Sequence, residues 1–219
     1  MIKSVALLVC LFLIGVGNLS QIHGQIYVNT HYKQVNIIFS ETDYKYFDLA
    51  PDYYQSTLSK LLEGTASSLS YNVVCGIALY FAPTDFTHWA DNLNVAKNWK
   101  TSFTSSPIWD EDAWYTNYLG HTYQGAFYYN SVRSQGVSMA GSALFATFQT
   151  LLWEFVLEGA YEQPSKNDLL ITPILGSVAG ELINQLTIRF RRNGFTLVEK
   201  IIVILFNPNY AIQKGFKAI

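Results

Sequence analysis

The sequence predicts an all-α protein: a compact bundle of about five to seven helices, led in by an irregular or short β segment and associated with a membrane. Three observations predict it. From Ser138 to Tyr161 the apolar residues Leu144, Phe145, Phe148, Leu151, Leu152, Trp153, Phe155, Val156 and Leu157 cover nearly the whole circumference of a helix, a pattern that belongs in a central core or in lipid. Charged residues make up 14% of the chain and aromatic residues 16%, against about 25% charged in ordinary soluble domains, so much of the surface should be buried or lipid-facing. Gly176 and Gly180 form a G-x-x-x-G pair, which lets a neighbouring helix come close in a membrane or in a tight soluble bundle.

Taken in order, Met1 to Gly24 reads as an export signal. Lys3 gives the positive start, and Val5 to Val16 give an apolar core too short to span a bilayer comfortably. A cut before Gln25 fits, with Ser20 as a rival boundary and an uncleaved anchor as the alternative. Cys10 lacks the small residues expected before a lipidated cysteine, and beyond the signal Cys75 stands alone, so no internal disulfide is expected. The organisation is then 1–24 signal, 25–50 lead-in and 51–219 a single helical domain. In the lead-in, I-Y-V-N-T and V-N-I-I-F suit a short strand pair or an extended arm.

A first helix is expected from Asp52 to Ala82, with Leu58, Leu61, Leu62 and Leu69 at helical spacing and Pro83 as its stop. Thr84 caps a second helix that runs to about Lys100, followed by a loop from Thr101 to Pro107. Asp110 to Asp112 open the next helical region, which holds Trp114, Tyr115, Tyr118, His121, Phe127, Tyr128 and Tyr129. Gly120 and Gly125 within it mark either breaks or points where another backbone comes near. After the helix from Ser138 to Tyr161, Pro164 to Asn167 reads as a turn, and Thr172-Pro173 as a helix start with proline at its first position. That helix runs to about Arg192, ending in Arg189, Arg191, Arg192 and the stop Asn193-Gly194. Phe195 to Phe206 forms a last helix or strand closed by Asn207-Pro208.

The runs Val73–Ala82 and Ile201–Phe206 fall well short of the roughly 20 residues a spanning helix needs. The longer helices carry Gln149, Glu154, Glu158 and Glu181 in their middles, so they would span only as a bundle with those groups turned inward. The expected position is a domain that sits on, or is partly sunk into, an envelope membrane, with membrane surface or envelope lipid as its partner. A net charge of -2 without a sustained basic run excludes nucleic acid.

The residues that carry chemistry lie between Asn117 and Glu181. Glu154 and Glu158 are four apart on one helical face, where like charges repel; buried, they demand a shared proton, a cation or a metal. His121 and Arg133 are the nearest partners by sequence, and His121 sits between Gly120 and Gly125 in G-H-T-Y-Q-G. Such a cluster would run acid/base chemistry or hold a metal, or it would be a packing network in which Arg133 neutralises one glutamate and His121 bonds another. Asp168 joins if the Pro164 turn folds back, and Glu181 is the expected third carboxylate. Sharper motifs fail: the chain lacks Glu-x-x-His pairs, H-E-x-x-H, G-x-G-x-x-G and a Walker loop, and Gly136-Val137-Ser138-Met139-Ala140 misses the nucleophile elbow at its last place. Arg192 to Glu199 looks like a prepilin cleavage motif, but it lies near the wrong end of the chain. No motif calls for a cofactor, while a divalent metal would fit the carboxylates.

N-Y-L-G-H-x-Y-Q-G from Asn117, Y-Y-N-x-x-R to Arg133, W-E-x-x-x-E from Trp153, P-S-x-N-D-L from Pro164, T-P-x-x-G-x-x-x-G-E to Glu181 and the late Asn207-Pro208 together resemble the uncharacterised bacterial envelope family catalogued as domain of unknown function 3943. Thr122 stands where that family has proline and Val132 where it has alanine. The resemblance covers 117–208. It implies a helical, exported, membrane-associated domain with Asn117, His121, Arg133, Glu154, Glu158, Asp168 and Glu181 at signature positions, and no established activity.

Three functions compete. In the first, the protein is a non-enzymatic envelope component whose polar cluster fixes its packing. The second is a hydrolase or transferase on a lipid or envelope substrate, with His121 as general base and Glu154 or Glu158 as its orienting partner or a metal ligand; it requires a cavity that reaches His121. The third is a small-ligand module with an apolar pocket bounded by Tyr123, Phe127 and Trp153.

Overall fold

The computed structural model describes residues 55–87, 89 and 94–216. The expected signal, the lead-in and the helix start at Asp52 lie outside the described residues. Those residues hold seven helices longer than a single turn and no strand. Helix α1 is Thr57–Tyr80, with Ser56 as its N-cap. A single turn, α2, is Thr84–Thr87, and α3 is Val95–Thr104. The expected loop from Thr101 is therefore helical as far as Thr104: the Ser102 and Thr104 hydroxyls bond back to the Asn98 and Lys100 carbonyls within the helix.

A π-turn at Thr116–Gly120 leads into α4, His121–Arg133. Helix α5 is Met139–Leu152, capped by Ser138; it passes into a π-turn at Trp153–Leu157 and a 3-10 turn at Glu158–Ala160. Helix α6 is Lys166–Asn193. The expected start at Thr172-Pro173 is corrected here. Ser165 caps the helix by accepting the Asp168 N–H at 3.1 Å, and Pro173 sits inside, where it withholds only one N–H from the ladder. Gly194, at φ 76°, stops the helix as expected. Helix α7 is Leu197–Phe206, opened by a capping box between Thr196 and Glu199, which accounts for the residues that mimic a prepilin motif. Asn207-Pro208 does not close the fold but begins a further helix, α8, Pro208–Lys214.

Helix α4 is the axis of the bundle. Ten of its thirteen residues are buried, and its largest contact is with α6. Gly125 does not break α4. It lies against Gly176, and a β-carbon on Gly176 would stand 2.5 Å from the Gly125 Cα, while one on Gly125 would overlap the Thr172 carbonyl oxygen. Only glycine permits this approach. The contacts from His121 to Thr172, Gly125 to Gly176 and Asn130 to Gly180 show that α4 and α6 run parallel. Phe127, Tyr128, Tyr129 and Ala146 form the apolar core, joined by Tyr71 stacked on Phe127 at 4.3 Å.

The two sides of α6 invert the arrangement of a water-soluble helix. Its buried residues are Asp168, Thr172, Gly176, Gly180, Glu181, Asn184 and Thr187. Leu170, Ile174, Leu175, Val178, Leu182 and Leu186 are exposed. Helix α7 repeats the pattern, burying only Val203 and exposing Leu197, Val198, Ile201, Ile204, Leu205 and Phe206.

Candidate functional site

The site forms where three segments meet: the first residue of α4, the π-turn after α5 and the first turn of α6. His121 Nε2 lies 3.3 Å from Asp168 Oδ1, and its Nδ1 lies 3.2 Å from Thr172 Oγ1. Glu154 completes the group. One donor atom from each of His121, Glu154 and Asp168 lies within 4.8 Å of the others, and all three residues are buried. The Ser165 backbone N–H donates to Glu154 Oε2 at 2.9 Å, so the cap of α6 also holds the glutamate of the neighbouring turn. Glu154 Oε1 and Asp168 Oδ1 accept no hydrogen bond.

A second layer of polar contacts fixes these segments. Ile108 and Ser165 form an isolated parallel bridge, in which the Ile108 N–H bonds to the Pro164 carbonyl at 3.0 Å and the Lys166 N–H to the Ile108 carbonyl at 2.7 Å. That stitch brings Asp110 to the site. Its carboxylate accepts from the Ser165 hydroxyl, from Asn117 Nδ2 at 2.7 Å, from the Asp112 N–H at 3.1 Å and from Asn167 Nδ2 at 3.3 Å. Burial pushes the Asp110 carboxyl up, and these hydrogen bonds outweigh it, leaving it below its usual range.

The other carboxyls move the opposite way. Burial, then Asp110, push Asp168 up to about 7. Burial, then Asp168, raise Glu154 well above its ordinary value, and burial, then Glu154, do the same to Glu158. Burial, then Asp112, push Glu162 up to about 7. The His121 imidazole is driven by burial down to about 4, so burial disfavours the charged form of both partners of the 3.3 Å His121–Asp168 contact. Among the described residues, no lysine or arginine stands within ion-pair distance of Glu154 or Asp168.

A cavity of about 220 Å³ reaches His121. Glu158, Glu162, Trp89, Trp153 and Cys75 are among the residues that line it, with Glu162 held by the Trp89 indole N–H at 3.3 Å. Of the aromatic residues expected to bound a ligand pocket, Trp153 lines this cavity, whereas Tyr123 and Phe127 do not; Tyr123 instead donates to the Leu205 carbonyl on α7 at 2.8 Å.

His121, Glu154 and Asp168 therefore come together, Glu158 adjoins them through the cavity, and Asn117 acts one step removed through Asp110. Arg133 and Glu181 do not join. The expectation that Arg133 neutralises Glu154 or Glu158, and that Glu181 supplies the third carboxylate, is corrected: Arg133 Nε donates to Glu181 Oε2 at 2.8 Å at the far end of α4, and the third carboxylate is Asp168. Asp110, Ser165, Thr172 and Glu162 were missed. The signal for Ser165 was present in S-K-N-D, a capping pattern, and that for Asp110 in the dense acids of W-D-E-D.

Residues 106–209 match the family model described as Domain of unknown function (DUF3943), so the resemblance read from the ordered motifs holds. The match opens ahead of Asn117 and so takes in Asp110 together with every residue of the cluster. No curated protein and no solved structure matches the chain.

Proposed function

We propose that this is an exported, envelope-associated helical protein whose apolar outer faces meet lipid, and whose buried His121–Glu154–Asp168 cluster locks α4, the Trp153–Ala160 turns and α6 together inside that lipid-facing bundle. One observation carries the reading: α6 turns its polar and glycine residues inward and Leu170, Ile174, Leu175, Val178, Leu182 and Leu186 outward. In water the hydrophobic effect favours the reverse, and contiguous apolar patches beyond a few hundred Å² are rare on free soluble proteins. In lipid, apolar surface gains nothing by being buried in protein, and helices associate through small residues and polar contacts, which is how α4 meets α6. Arg189, Arg191 and Arg192 at the end of α6 suit the phosphate level of a membrane. The segments Met139–Ala160 and Lys166–Asn193 have the length and composition to cross a membrane, but core helices of soluble proteins share them, and the proposal needs only that these faces touch lipid.

Flotation of the full chain with phosphatidylglycerol-containing vesicles tests it. The protein should rise with the vesicles, and an Ile174→Ser/Val178→Ser/Leu182→Ser variant should rise less while keeping its helical circular dichroism. A detergent-free monomer or dimer that stays behind would refute the reading. N-terminal sequencing of the secreted chain should begin at Gln25.

A second reading, a hydrolase or transferase on a lipid substrate, is favoured by the 220 Å³ cavity at His121. It calls for turnover of an ester-linked lipid analogue that disappears in both His121→Asn and Glu158→Gln.

A further inference from the structure

Two buried carboxyls beside the His121 imidazole each keep an oxygen that accepts no hydrogen bond. Glu154 is 1% exposed and Asp168 4%, yet Glu154 Oε1 and Asp168 Oδ1 accept no hydrogen bond. A buried carboxylate oxygen without a donor is costly. Other buried amides and hydroxyls also lack partners, but among the described residues these two are the buried carboxyl oxygens left without a hydrogen bond, and one donor atom from each of Glu154, Asp168 and the His121 imidazole lies within 4.8 Å of the others. The three come from separate segments of the chain, so no local hydrogen-bonding preference put them together.

We propose that His121 Nε2, Glu154 and Asp168 bind one divalent transition-metal ion, of which zinc is the representative. The inference concerns the cluster alone and stands whether or not the outer faces meet lipid. The separation of 3.3 Å between His121 Nε2 and Asp168 Oδ1 matches the edge of a tetrahedron around an ion held at about 2.0–2.1 Å, which is about 3.3 Å. One imidazole nitrogen with two carboxylate oxygens favours zinc, iron or manganese over calcium or magnesium, which take oxygen alone. Two carboxylates facing no lysine or arginine among the described residues are balanced by one divalent charge.

The supporting groups are those that a metal site uses. Thr172 Oγ1, 3.2 Å from His121 Nδ1, can take the Nδ1 proton in the tautomer that leaves Nε2 bare for the ion. The Ser165 N–H holds the second oxygen of Glu154 at 2.9 Å and leaves Oε1 free. The π-turn at Trp153–Leu157 sets the direction of Glu154, a use such turns often have at functional sites. Three protein ligands leave a coordination position open; of the three, His121 borders the cavity, while Glu154 and Asp168 do not line it.

The experiment uses the full chain in detergent, stripped with a chelator and titrated with zinc chloride. One zinc per chain should bind, and saturating zinc should raise the melting temperature by about 5–10 °C. Glu154→Gln and Asp168→Asn should each abolish that rise, while Glu181→Gln, outside the cluster, should retain it. Absence of zinc binding by the unaltered chain would overturn the proposal, as would an undiminished rise in the two ligand variants. Should either variant fail to fold, cobalt added to the unaltered chain decides: a spectrum of nitrogen and oxygen ligation is expected, and a thiolate charge-transfer band would place the ion at Cys75 and overturn the assignment.

Discussion

The two ends of the α4–α6 seam share burial, helices and residue types, but they differ in how their charges are met. At the end of α4, Glu181 receives Arg133 Nε at 2.8 Å and Nη2 at 3.3 Å, the Tyr129 hydroxyl at 2.6 Å and Gln185 Nε2 at 3.1 Å, and Arg133 Nη1 donates to the Val137 carbonyl at 3.2 Å. Every charge there has its counterpart. At the start of α4, His121, Glu154 and Asp168 hold two carboxylate oxygens with no donor and no cationic side chain among the described residues. A balanced buried network is sufficient for structure as it stands, whereas the acid-rich one is met either by protonation of its carboxyls or by the proposed ion. The comparison teaches that burial alone does not mark a site; the deficit of positive charge does.

The comparison can be broken outright by separating the helices. Gly176→Leu forces a side chain into the Gly125 backbone, where overpacking costs on the order of 3 kcal/mol or more; thermal unfolding should show both ends lost together, with neither zinc response nor native melting. A residual transition that keeps the zinc response would mean that the two ends do not depend on one seam.

A smaller perturbation separates them. Arg133→Met leaves the buried Glu181 carboxylate unpaired and should cost about 3 kcal/mol, most of it recovered in Arg133→Met/Glu181→Leu. In metal-free protein, Glu154→Gln should change stability by less than about 1 kcal/mol, because burial already favours the uncharged acid. If chemical denaturation gave the two substitutions equal costs, the ends would be equivalent after all.

The smallest effect is a difference in sign with pH. Burial raises the Glu181 carboxyl, but Arg133, Tyr129 and Gln185 outweigh it and hold the group below its usual range. A depressed folded value means that its contribution is present at neutral pH and is lost as pH falls below about 4.5 through that value. Glu162 is the reverse, raised to about 7 by burial and Asp112. Metal-free protein should therefore lose stability as pH climbs from about 4.5 to about 7. Melting temperatures across pH check both limbs: Glu181→Gln should make the acidic one shallower, where Asp110 also contributes, and Glu162→Gln the other, where Asp168 also contributes, and a single slope of one sign would contradict the assignment.

Much of this was legible in the chain, and the misses have physical causes. Helical periodicity and the Asn193-Gly194 stop place the start of α5 and the end of α6, and of the acids of W-E-x-x-x-E it is Glu154 that lies beside His121, with Glu158 meeting it across the cavity. Arg133 was assigned by nearness in sequence, but a parallel seam pairs residues about fifty positions apart, as His121 with Thr172 at a separation of 51 and Arg133 with Glu181 at 48. Thr172-Pro173 has the look of a helix start because proline suits that place; Ser165 supplies the true cap, and the helix carries Pro173 inside at the loss of a ladder hydrogen bond. The acids around Asp110 stand out in the sequence, but its place at the site depends on a bridge between two loops, and single-residue pairings leave no periodic trace.

That bridge has a consequence of its own. Two amide protons, those of Ile108 and Lys166, are the rivets by which an otherwise irregular acidic loop is seated on the mouth of the longest helix. Their exchange with deuterium reads out directly whether Asp110 is docked, giving a pair of reporters at the threshold of the cluster that touch none of its ligating atoms.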